Sequence, residues 1–218
     1  MKFGKALLAL TLCATLTFTA CSTAWISEAE QIVVALIPAA ANIVALAATL
    51  QGKNVSANDL ETIQKAGAQA GADLQLLQSL IAAYEKADAA AQPGILNQIE
   101  AATNAAQSAV DGLLPALHIE DATTQAKVTA VVGIVLSEIQ SLAAIVPLID
   151  PSTSPGVMAM ASRQVKKLTP LTASEFVSSY NATMTAKTGN AALDHATAGL
   201  RIHVHGELAR WASAGLLK

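Results

Sequence analysis

The chain has 218 residues, a formal charge of −3 and 53% apolar residues, few of them aromatic. Apolar content dominated by alanine favours helix and buries little area per residue, which excludes a strand-rich fold and points to an all-α one. Two cysteines and a mildly acidic balance exclude a disulfide-built scaffold and give no footing for nucleic-acid binding.

Residues 1–5 carry two lysines and no acid, and residues 6–18 follow without a charge. A basic head and an apolar run of this length make a signal peptide, assigned here to residues 1–20; the run is short for a membrane span. Phe18-Thr19-Ala20-Cys21 resembles the lipobox of bacterial lipoproteins, with Phe18 standing where leucine is usual. The resemblance covers about the first 22 residues. It implies cleavage between Ala20 and Cys21 and thioether acylation of Cys21, so that the partner of the mature N-terminus is a membrane. Several acyl chains on one residue hold a protein stably, whereas one chain does not. Ser22 follows where an aspartate would imply retention in the inner membrane, so the resemblance implies an outer-membrane anchor facing the periplasm. The rival reading is a cut after Ser22-Thr23-Ala24, which releases a soluble, secreted chain beginning at Trp25.

From residue 21 onward the charge is uneven. Residues 21–150 hold four basic and thirteen acidic side chains, and residues 151–218 hold seven basic and three acidic. The change falls at Asp150-Pro-Ser-Thr-Ser-Pro-Gly156, a strong linker signal. The sequence therefore reads as an acidic four-helix bundle (21–150), a linker (151–156) and a basic helical segment (157–218). Opposite charges suit a tail that lies back on the bundle or meets an anionic membrane surface.

The first helix of the bundle is expected from Ser27, capped by Ser27-Glu-Ala-Glu30, to residue 50, with Gly52 as its stop and Pro38 as a bend. No charged residue lies between Gln31 and Gly52. That length could cross a bilayer, but Gln31, Asn42 and many alanines favour a buried bundle helix. The second helix opens at Ser56 or Asn58, where Asn58-Asp-Leu-Glu61 has capping-box spacing. Leu60, Ile63, Gly67, Ala70, Leu74, Leu77, Ile81 and Tyr84 then alternate in steps of three and four, the seam of near-parallel packing. Gly67 and Gly71 within it suit close soluble packing rather than a membrane dimer. The third helix begins at Pro93-Gly94 and offers Ile95, Ile99, Ala102, Ala106, Ala109 and Leu113. The fourth, after Glu120-Asp121, offers Val128, Val132, Val135, Ile139, Leu142, Val146 and Ile149. Short connections predict an up-and-down antiparallel bundle with additional short C-terminal helices.

In the tail, residues 157–168 are apolar and basic, and Thr172-Ala-Ser-Glu175 is a capping box opening a helix with Phe176, Val177, Tyr180 and Met184. Residues 190–217 are predicted helical again, with Leu193, Thr197, Leu200, Val204, Leu208 and Trp211 at helical spacing. His195, His203 and His205, with Asp194, are the one candidate metal set, since imidazole suits zinc, copper or nickel. His203 and His205 share a face only on extended backbone; on a helix they point about 200° apart. No GxSxG elbow, phosphate loop, CxxC or HExxH occurs, so no catalytic residue and no cofactor is nominated.

These features predict a non-enzymatic, lipid-anchored cell-envelope protein that acts through contacts with a protein partner or as a structural element. A membrane-active protein that inserts residues 31–52 and 128–149 is the first alternative, and a periplasmic metal-binding protein is the second.

Overall fold

The computed structural model describes residues 3–50, 55–113, 119, 121–149 and 172–203, with side chains for 25–50, 55–113, 119, 121–143 and 172–203. Every regular element among them is a helix: α1 (Phe3–Thr49), α2 (Ala57–Lys86), α3 (Gln92–Asp111), α4 (Ala122–Ile149), α5 (Ala173–Thr185) and α6 (Ala191–Ala198). α1 packs on α2, α2 on α3, α3 on α4, and α4 closes back on α1. Trp25 and Ala29, where the packed part of α1 begins, share one small cavity with Leu77 and Ile81 late in α2, Ile99 early in α3 and Leu142 late in α4. Successive helices therefore run antiparallel, as their short connections require.

α1 is longer than its sequence signals predict. Ser27 is not an N-cap: it lies inside a helix that begins at Phe3, and the Gln31 Nε2 donates to its Oγ at 3.2 Å. The reason is propagation. No glycine or proline interrupts residues 5–37, so extending the helix costs less than ending and renucleating it. Ile32, Val33, Leu36, Ala39, Ala40, Ile43 and Leu46 are buried on nearly all sides, the pattern of a central bundle helix. Pro38 sits within α1, where it removes one ladder donor. Gly52 lies outside the described residues.

α2 follows its seam position by position: Leu60, Ile63, Gly67, Ala70, Leu74, Leu77, Ile81 and Tyr84 are all buried. Its cap is Ser56, whose Oγ accepts from the Asp59 N–H at 3.1 Å and donates to Asp59 Oδ2 at 2.6 Å. The capping-box spacing at 58–61 is not used, because the helix has already begun at Ala57.

The two glycines of α2 differ. A Cβ at Gly67 would run into the Val44 Cγ2, whereas one at Gly71 would meet nothing within 4 Å. Val44 is stiff at χ1, so it yields only off its rotamer. Gly67→Ala is expected to cost about 1–3 kcal/mol. Gly71→Ala should add about 0.5–1 kcal/mol by removing a flexible residue from a helix interior. Urea unfolding of the two variants checks this; shifts of the same sign would contradict the packing.

α3 buries Leu96, Ile99, Ala102, Thr103, Ala106 and Val110, with Leu113 beyond its end. Ile95 and Ala109 are only half-buried, a correction to the expected stripe. Thr103 can face inward because its hydroxyl donates to the Ile99 carbonyl at 2.7 Å and so brings no unpaired group into the core. α4 is capped by Asp121, whose Oδ2 accepts from the Thr124 N–H at 2.7 Å. It buries Val128, Val132, Val135, Ile139 and Leu142 as read; the side chains of Val146 and Ile149 lie outside the described residues.

The Thr172–Glu175 capping box forms with both reciprocal bonds and opens α5, which buries Phe176, Tyr180 and Met184 completely. α5 packs on α4 and α1, and α6 on α5 and α1. The expected helix over 190–217 is corrected within the described residues, and 204–217 lie outside them. α6 ends at Ala198 with Gly199 as C-cap, and residues 201–203 are not helical. The linker (151–156) and residues 157–168 lie outside the described residues.

Candidate functional site

The two ends of the bundle are built differently. At the first end, Trp25 stacks on Tyr84 with ring centroids 5.5 Å apart, and Ile26 and Ala29 are buried. Cys21 and Ala20 belong to α1, one helical turn before Trp25. Their side chains lie outside the described residues. Glu28 also stands here, and its Oε1 accepts from the Ala173 N–H at 2.8 Å. A carboxylate facing the first turn of α5 complements that helix's positive end.

At the opposite end the chain is tied by side chains reaching backbone. Asn42 Nδ2 donates to the Leu200 carbonyl at 2.7 Å. Asn181 clamps Ile202 twice, accepting from its N–H at 2.8 Å and donating to its carbonyl at 3.0 Å. These ties draw residues 200–202 off the helical path and back onto α1 and α5.

Lys127 completes this end, and the sequence reading did not single it out. Only 6% exposed, it donates from Nζ to the Ala186 carbonyl at 2.7 Å and to Thr197 Oγ1 at 2.9 Å. Burial lowers its pKa; the nearby Asp194 opposes that shift and Lys187 adds to it. The signal available in the sequence was one lysine set into an uncharged, valine-rich run. Glu138 is a second buried charge missed in the same helix, and Asp73, held by Gln69 Nε2 at 2.9 Å, is a third on α2.

Among the histidines, His195 is exposed on α6, and His203 is exposed beyond it. His205 lies outside the described residues. Asp194 is turned to Thr188, whose N–H and hydroxyl bond its Oδ1 at 2.9 and 2.8 Å and hold its carboxyl below the usual carboxylate range. A shallow depression of about 440 Å³ lies beside it, lined by Lys187, Gly189 and His195 among others. Gly189 adopts φ 82°, the left-handed conformation that favours glycine. Among the described residues no group of three or more His, Cys, Asp or Glu side chains could hold a metal ion.

The Tyr180 hydroxyl is buried against Asn42 without a well-formed hydrogen bond, and burial pushes its pKa far above the ordinary phenol value. The folded chain therefore keeps this proton when the unfolded chain gives it up. The stability it supports is complete below about pH 10 and falls as pH rises above that value. Tyr180→Phe is expected to leave stability at neutral pH within about 1 kcal/mol and to flatten the alkaline decline. Unfolding midpoints measured across pH 8–12 check this; an unchanged alkaline limb would contradict it.

Comparison with protein-family models, with curated proteins and with solved structures finds no match.

Proposed function

We propose that the chain is a non-enzymatic cell-envelope lipoprotein, anchored through acyl chains on Cys21 and acting through contacts with a protein partner or as a structural element. One observation carries the reading: the Cys21 that follows Phe18-Thr19-Ala20 sits on the same helix as the buried core, one turn before its first packed residues. An acyl group there positions a folded helical body rather than a loose tail. Absence of aspartate after the cysteine supports an outer-membrane location facing the periplasm. Mass spectrometry of the mature N-terminus tests the proposal. Acyl chains on Cys21 are expected, and a chain beginning at Trp25 would overturn it.

A second reading is favoured by hydropathy. Trp25–Thr49 and Ala122–Ala143 have mean hydropathies of 2.2 and 1.4 over lengths able to cross a bilayer. Against insertion, about half of each window is buried in the bundle, and α4 would carry Lys127 and Glu138 into hydrocarbon. Carbonate extraction of a Cys21→Ala variant separates the readings: release into the soluble fraction supports the anchor, and retention supports insertion.

A further inference from the structure

We draw no further inference here: the strongest candidate, the open apolar groove between α1 and α2 lined by Ile37, Ala41, Val44, Ala68, Gly71 and Ala72 among others, is a stripe of mostly small residues, and nothing among the described residues shows what covers it.

Discussion

Phe176→Ala is expected to lower stability by about 3–5 kcal/mol, the cost of emptying a fully enclosed aromatic site. Phe176 has no exposed surface and lies 6.1 Å, centroid to centroid, from the equally buried Tyr180. Both rings belong to the same apolar cluster as Ile32 and Leu36 of α1 and Val131 and Val135 of α4. The substitution should therefore weaken the whole helical body, and far-ultraviolet circular dichroism and tryptophan fluorescence should lose signal in one shared urea transition. Val177→Ala, at a half-buried neighbour, should cost about 1 kcal/mol. A Phe176→Ala loss below that of Val177→Ala, or two separated transitions, would show that the C-terminal helices fold apart from the bundle.

How far the sequence was legible depended on whether a feature is local. The eight small or apolar positions of the α2 seam could all be read, because they recur in steps of three and four, whereas Asp73, buried beside them, could not. The Thr172–Glu175 capping box is equally local, since both of its bonds join residues three apart. The α3 stripe drifted by one position because Thr103 faces inward, and its internal hydroxyl bond is invisible to a hydropathy pattern. The start of α1 was misread for the opposite reason: Ser27-Glu-Ala-Glu30 is a sound local cap, but helix already in progress overrides it. The expected helix from 190 stops at Ala198 because Asn42 and Asn181 reach residues 158 and 21 positions away, and no periodicity reports such bonds. Lys127 was missed likewise, its acceptor at Ala186 lying 59 residues further on.

Lys127→Ala is expected to lower stability by about 2–4 kcal/mol, combining lost stem packing with hydrogen bonds stranded at the Ala186 carbonyl. Lys127→Met should cost only about 1–2 kcal/mol, because it keeps the aliphatic stem and removes the need to bury a charge. The order of the two variants is itself informative: equal losses would mean that the charged tie, and not packing, holds α4 to the C-terminal helices. pH supplies an independent check. Burial lowers the amine's pKa from its ordinary 10.5, so the unfolded chain binds this proton more tightly than the folded one. Below the lowered value the folded chain bears the full cost of the buried charge. As pH climbs from there towards 10.5 that cost is relieved, so this group makes stability rise, and above 10.5 it adds nothing further. Tyr180 acts in the opposite sense at alkaline pH, so the rise is best measured in a Tyr180→Phe background. There the stability of the chain with Lys127 should climb through the alkaline range relative to its Lys127→Met counterpart. Parallel curves for the two would contradict a lysine buried in its charged form.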